Sequence, residues 1–173
     1  KCLSSIPNSL KTQDYEIIIV DNNSSDNSCS FIKNLKNKKI RLIQNFYNSG
    51  YTKAINQAIK KSKGENILIL NPDSILEQKS IDVLLKFLDK NKRVGIVGPK
   101  VINELGLFQA SCKRGLATPL AVFSYFLGFA KIFKGNRLFT GYQLNHLDEN
   151  IINEVDGVSG SCMIIKREVV DKI

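Results

Sequence analysis

The 173-residue chain has no tryptophan, one methionine, one histidine, four cysteines and four prolines, and its 16 acidic residues are outnumbered by 25 Lys and Arg. Scarce Gly and Pro exclude a collagen-like chain, and four cysteines are too few for a disulfide scaffold. Cys2, Cys29, Cys112 and Cys162 include no close pair, and no histidine stands at metal-ligand spacing from them. Neither a zinc site nor a CxxC redox motif follows, and the sequence predicts reduced, mostly buried thiols. His146 lies in a polar stretch and reads as a surface residue. The most apolar run, Pro119 to Ala130 (PLAVFSYFLGFA), is followed at once by Lys131 and Lys134. It falls short of the roughly 20 residues a membrane span requires, and the helix it forms reads either as ordinary core or, with Lys131, Lys134 and Arg137 nearby, as a patch resting on an anionic membrane. The first residues, KCLSSIPNSL, lack the pattern of a secretory signal and read as the end of a helix, so a preceding segment is expected. There is no internal repeat and no low-complexity linker.

What remains is an ordinary globular composition, 43% hydrophobic and 24% charged, with a net charge of +9. The apolar fraction excludes disorder, and the length suits a single domain. A basic balance is compatible with nucleic acid, an anionic membrane surface or a phosphorylated small molecule, and charge alone does not choose among them.

Hydrophobic patterning supplies the organisation. Glu16 to Val20 (EIIIV) reads as a strand closed by Asp21-Asn22-Asn23. Ser24 to Asp26 offer capping side chains for a helix that places Cys29, Phe31, Ile32 and Leu35 on one face. Ile40 to Gln44 is a second strand, and Thr52 to Lys63 a helix with Ala54, Ile55, Ala58 and Ile59 inward, ended by Gly64. Asn66 to Leu70 (NILIL) runs into Asn71-Pro72-Asp73, and a helix from about Glu77 to Lys90 buries Ile81, Leu84, Leu85 and Leu88. Arg93 to Gly98 is a fourth strand, an apolar helix is predicted near residues 118 to 131, and Ser161 to Lys166 closes the pattern as a last strand. Alternation of strand and helix predicts an α/β fold with a mostly parallel, helix-flanked sheet, which binds ligands at the carboxyl ends of its strands. Asp21 and Asp73 stand at two such ends.

Four short constellations could carry chemistry. In Val20 to Asp26 a strand delivers a carboxylate that can accept from a base N–H or a ribose hydroxyl, although the same residues suit a helix N-cap. In Asn48 to Asn56 a glycine-containing turn opens a helix with Lys53 in its first turn; helix-start N–H groups suit a diphosphate, and a plain turn explains the residues equally. Asn71-Pro72-Asp73 places hard oxygen ligands where Mg²⁺ or Mn²⁺ could bridge substrate phosphates, or simply forms an Asx-Pro turn. In Glu154 to Cys162, Gly157 and Gly160 allow close backbone approach and Asp156 could reach a sugar hydroxyl, with ligand-free tight turns as the alternative.

Taken in order, EIIIVDNNSSDNS at 16–28, NSGYTKAINQAIKKSKGENILILNPDS at 48–74, VGIVGPKV at 94–101 and VDGVSGSCMIIKREV at 155–169 resemble a family 2 glycosyltransferase of GT-A fold, and most closely its rhamnosyltransferase-like branch. The resemblance covers nearly the whole chain, as one partial GT-A domain with a nucleotide-binding half (1–100) and a sugar- and acceptor-side half (101–173). It implies that Asp21 contacts the nucleobase or ribose and that Asp73 holds Mg²⁺ or Mn²⁺ at the diphosphate. By the same resemblance Asn23, Asn48, Gly50, Lys53 and Asn56 line the nucleotide pocket, and Asp156, Gly160 and Ser161 the donor-sugar side. Asn71 stands where many relatives have the first aspartate of an Asp-x-Asp motif, which leaves one metal carboxylate.

The implied activity moves a sugar from a dTDP-, UDP- or GDP-sugar to a glycan or lipid-linked acceptor, with inversion, in the cytoplasm or peripherally at the inner face of the membrane. The family's usual first strand is absent from the start of the chain, and its catalytic general base is expected beyond Ile173. Turnover by these 173 residues alone is therefore expected to be weak or absent. A nucleotidyltransferase or non-catalytic nucleotide-binding domain of similar fold is the alternative. A nucleic-acid-binding module fits less well, because no aromatic-interleaved basic strand and no reading helix is found.

Overall fold

The computed structural model describes residues 1–11, 14–129, 142, 144 and 146–172. Helix α1 (Cys2–Ser9) precedes β1 (Ile17–Asp21), α2 (Ser28–Asn34), β2 (Ile40–Gln44), α3 (Tyr51–Lys61), β3 (Asn66–Leu70), α4 (Ser80–Lys90) and β4 (Ile96–Val97). A short 3-10 turn at Ala110–Cys112 leads into β5 (Lys113–Arg114), then α5 (Pro119–Phe126), β6 (Gly157–Val158), β7 (Cys162–Lys166) and α6 (Arg167–Val170).

The β-branched run of β1 forms a parallel ladder with β2, from Ile17 opposite Ile40 to Asp21 opposite Gln44. The mostly parallel sheet expected from the sequence is not what the other strands build. β7 lies between β3 and β4 and runs antiparallel to both, pairing Leu70 with Cys162, Asn66 with Lys166 and Val97 with Ile164. The architecture is therefore α/β with mixed pairing, and the two stretches on either side of residue 100 share one sheet. The reason lies in chain order: β7 follows β4 through a long excursion and returns from the opposite direction, so no crossover helix joins it to its neighbours. A small antiparallel ribbon of β5 and β6 sets Lys113 opposite Val158 and Arg114 opposite Gly157.

The core forms where these strands meet the helices behind them. Ile6 of α1, Leu76, Ile81 and Leu88 of the α4 region, and Cys162 and Ile164 of β7 are buried together, with Leu68, Leu70, Leu84, Leu85 and Val97 packed against them. The helical period predicted for α4 is realised by Ile81 and Leu88, although the helix starts at Ser80 rather than near Glu77, because Lys79 takes a left-handed φ of 60° just before it. β4 shortens to Ile96–Val97.

α2 departs further from its predicted form. Ser24 gives both its N–H and its hydroxyl to Asp21 instead of capping a helix, and α2 begins only at Ser28, after Asp26 has accepted the Ser28 N–H. Phe31 (61% exposed) and Leu35 (40%) consequently face solvent, while Cys29 and Ile32 are half-buried. Of the four free thiols only Cys162 is buried, and the other three are half-buried. Burial raises the Cys162 thiol pKa to about 11, so it stays protonated at neutral pH. His146 is half-buried rather than on the surface. Among the described residues no helix is long and apolar enough to cross a membrane. The predicted apolar helix is described only as α5, and its last part, with Lys131, Lys134 and Arg137, lies outside the described residues.

Candidate functional site

The carboxyl ends of β1 and β3 are drawn together by the start of α3. Asp21, the last residue of β1, is buried (8% exposed) and accepts the Ser24 N–H at 3.1 Å and the Ser24 hydroxyl at 2.5 Å. The Ser24 hydroxyl, more than any other neighbour, holds the Asp21 carboxyl below the ordinary aspartate range, with the Cys29 thiol adding to it. An ionised carboxylate has about four acceptor directions. Two go to Ser24 and another faces the Cys29 thiol, which leaves room for about one ligand hydroxyl or N–H.

The next residue ties this strand end to α3. The Asn22 side chain donates to the Gly50 carbonyl at 3.2 Å, and its Oδ1 accepts from Asn45 at 2.8 Å and from the Ser49 hydroxyl at 3.1 Å. Asn45 and Gln57 exchange a reciprocal amide pair, each bond 2.9 Å. Gly50 sits immediately before α3 with φ 86°, a left-handed conformation that an L side chain rarely adopts, and Asn48 Oδ1 accepts its N–H. The chain thus enters an 11-residue helix whose first N–H groups have no carbonyl within the helix to donate to, and no acidic residue lies in its first turn. This is a ready place for negative charge. Lys53 is exposed there and lines an open cleft of about 350 Å³ with Asn45, Phe46, Tyr47, Ser49 and Gln57.

Tyr51 carries the connection to the other sheet. Its hydroxyl donates to the Gly160 carbonyl at 2.8 Å and lies 3.4 Å from Asn71 Oδ1. Loss of water around that hydroxyl raises the phenol pKa even though the residue as a whole is exposed. A Cβ at Gly160 would stand 2.9 Å from the Tyr51 oxygen, so glycine is what permits the approach. Asn71 donates its N–H to the Ser161 carbonyl at 2.9 Å, and Ser159 and Ser161 pair their hydroxyls at 2.9 Å. A turn closed by the Ser74 N–H on the Asn71 carbonyl then presents Asp73, exposed, at the end of β3.

Of the residues singled out in the sequence, Asp21, Asn48, Gly50, Asn71, Gly160 and Ser161 fall within this continuous hydrogen-bonded assembly, and Lys53 flanks it. Asn23 is exposed with φ 67°, beside Asp21, and Asn56 is exposed on α3. Asp156 is placed elsewhere in its contacts: its carboxylate accepts the Leu116 N–H at 3.0 Å, next to the β5/β6 ribbon. Sequence reasoning missed Asn22, Asn45, Gln57 and Tyr51. Asn22 and Tyr51 were within reach, since each adjoins a residue already chosen.

For a divalent cation, no group of three or more His, Cys, Asp and Glu side chains comes together among the described residues. A protein-built cage is therefore not the fit. An exposed carboxylate on Asp73, two residues after Asn71, suits the other mode, in which Mg²⁺ or Mn²⁺ is held by one carboxylate, waters and substrate phosphates.

Comparison with known proteins gives a consistent outcome. The family model described as "Glycosyl transferase family 2" matches residues 1–173. A poly(ribitol-phosphate) beta-glucosyltransferase of Bacillus spizizenii is 32% identical over 148 residues, covering 80% of this chain and 23% of that protein. A poly(ribitol-phosphate) beta-N-acetylglucosaminyltransferase of Staphylococcus aureus is 32% identical over 102 residues, 57% of this chain and 31% of its own length. A poly-beta-1,6-N-acetyl-D-glucosamine synthase of Staphylococcus epidermidis is 28% identical over 99 residues, covering 56% of this chain and 24% of that protein. In each case the matched region is a third or less of the relative's length.

Proposed function

Because the chain belongs to glycosyl transferase family 2, we propose that it forms the donor-binding part of an enzyme that transfers a sugar from a nucleotide diphosphate to a glycan or lipid-linked acceptor in cell-surface polysaccharide synthesis. The observation that supports this most is the single hydrogen-bonded assembly joining Asp21, Asn22, the start of α3, Asn71 and Gly160 at the carboxyl ends of β1 and β3. Strand ends of α/β sheets are where such folds bind ligands.

In this reading Asp21, kept ionised by Ser24, accepts a ribose hydroxyl or a base N–H, with Asn23 beside it. The N–H groups opening α3 and the Lys53 ammonium attract the diphosphate of a dTDP-, UDP- or GDP-sugar, with Asn48 and Asn56 at its margin. Gly160 and Ser161, with Asp156 farther along beside the β5/β6 ribbon, form the donor-sugar side. Asp73, with Asn71, would hold Mg²⁺ or Mn²⁺ shared with the diphosphate; the cation supplies positive charge where the leaving group becomes more negative. Transfer proceeds by in-line displacement with inversion, and the carboxylate that takes the acceptor proton is supplied outside these residues. Rhamnose belongs in the donor panel on the sequence resemblance, and glucose and N-acetylglucosamine on the printed names of the relatives. The working location is the cytoplasm, at the inner face of the membrane.

Thermal-shift screening of nucleotide sugars with Mn²⁺ tests the reading. At least one donor is expected to raise the unfolding temperature, and Asp73→Ala is expected to weaken that donor by about tenfold or more in the presence of the cation. A shift equal in wild type and Asp73→Ala with and without Mn²⁺ would remove Asp73 from the metal role.

A further inference from the structure

The most apolar helix of the chain is built inside out. α5 buries its small residues, Ala121 at 5% and Ser124 at 1% exposure, and turns Leu120 (52%), Phe123 (60%) and Phe126 (79%) outward. A surface helix of a fold stable in water alone does the reverse. The arrangement is anchored rather than frayed: the Thr118 hydroxyl accepts the Ala121 N–H, the Thr118 carbonyl accepts the Val122 N–H, and the Asp156 carboxylate fixes the Leu116 N–H just ahead. Leu116 (67%) and Leu127 (52%) extend the exposed apolar surface at either end.

Charge says what covers it. From Leu105 to Leu147 the sequence contains no Asp or Glu, but it carries Lys113, Arg114, Lys131, Lys134 and Arg137 and eight of the fourteen Phe and Tyr residues. A second copy laid face to face would set these like charges against one another. Exposed Phe and Leu in a stretch of sequence whose only charges are positive, with the neighbouring Asp156 carboxylate engaged by the Leu116 N–H, match the boundary between acyl chains and anionic headgroups.

We propose that α5, with Leu116 and Leu127, is a docking surface for an anionic lipid bilayer. Leu120, Phe123 and Phe126 enter the headgroup–acyl boundary, and the acid-free stretch of sequence around them supplies attraction to the headgroups. The proposal rests on the glycosyltransferase reading only for its purpose, which is to bring a lipid-linked acceptor to the donor site. Docking itself is measured without any sugar, so the two readings fail separately.

The test is co-sedimentation with vesicles of phosphatidylcholine alone and of phosphatidylcholine with about a third phosphatidylglycerol. The wild-type chain is expected to sediment with the anionic vesicles and to be released by salt. Leu120→Ser with Phe123→Ser is expected to weaken this by about tenfold or more, while Val83→Ser, at an exposed site on α4, leaves it unchanged. Because the chain has no tryptophan, Phe123→Trp is a second and independent readout, with a blue shift of emission expected on anionic vesicles only. Sedimentation of the double variant equal to wild type, binding indifferent to anionic lipid, an unmoved Trp emission, or lipid-free self-association abolished by the double variant would each overturn the proposal.

Discussion

Residues 14–98 with β7 and residues 99–156 are made of similar amounts of apolar material but use it in opposite ways. The first set turns Ile67, Ile81, Leu88, Ile164 and Ile165 inward and closes its polar groups on one another around α3. The second supplies eleven of the nineteen large hydrophobic residues that stand exposed among those described, and its described buried positions are Lys113, Gly115, Ala121, Ser124 and Leu144. Lys113, whose ammonium donates to the Leu147 carbonyl, is even one of its few buried anchors. Hydrophobicity by itself does not make a core. The side that a short polar or small residue occupies decides which way a helix faces, and that side is set by what the neighbouring strands already cover.

The largest expected effect tests this contrast directly. Ile164→Ala, at a position 1% exposed in the strand between β3 and β4, is expected to cost about 2–5 kcal/mol in denaturant unfolding. Leu120→Ser on α5 is expected to change stability by no more than about 0.5 kcal/mol. Equal losses would break the comparison. Next comes Gly50→Ala, where an added Cβ meets nothing within 4 Å, so the cost is backbone strain alone. About 1–3 kcal/mol is expected, and Gly50→Asn should be no milder, because φ 86° with ψ 162° lies outside the left-handed helical region that asparagine tolerates.

Smaller still is Tyr51→Phe, which removes the bond to the Gly160 carbonyl. About 1 kcal/mol is expected, and in combination with Gly160→Ala the losses should be less than additive, since both act on one contact. A thermodynamic cycle with additive losses would show that Tyr51 does not join the two strand ends through Gly160. The smallest effect concerns acid. The Asp21 carboxyl is held below its ordinary range by Ser24, so its contribution is fully present above the unfolded-state aspartate pKa and disappears as pH falls through the lower folded value. Wild-type stability should therefore decline below about pH 4, and Asp21→Asn should flatten that decline. An unchanged acid limb in Asp21→Asn would place the sensitivity on another carboxylate.

Much of this was legible in the residues. β-branched runs marked β1, β2, β3 and β7, helical periods marked α3 and α4, and the carboxylates at 21 and 73 were found where strands end. The antiparallel course of β7 was not, because strand direction depends on a partner nearly a hundred residues away and leaves no local pattern. α2 was misjudged because Ser24 has two uses, as a cap or as a donor to Asp21, and only the fold decides between them. Asn22, Asn45, Gln57 and Tyr51 went unnoticed for the same reason: an amide or phenol in a sequence does not announce which carbonyl it will meet. For α5 the sequence left core and membrane patch both open, since a run such as PLAVFSYFLGFA reads as apolar all round, and its inward side was set by Ala121 and Ser124 rather than by its larger residues.

The central claim is that a nucleotide-diphospho-sugar binds where Asp21 and the start of α3 meet. Ligand-detected NMR saturation transfer, run with dTDP-, UDP- and GDP-sugars and Mg²⁺, tests it most directly, because it registers even weak binding. Transfer to the base and ribose protons of at least one donor, lost in a folded Asp21→Ala variant, is the expected result. Transfer that persists unchanged in Asp21→Ala, or none from any donor to the wild-type chain, would contradict it.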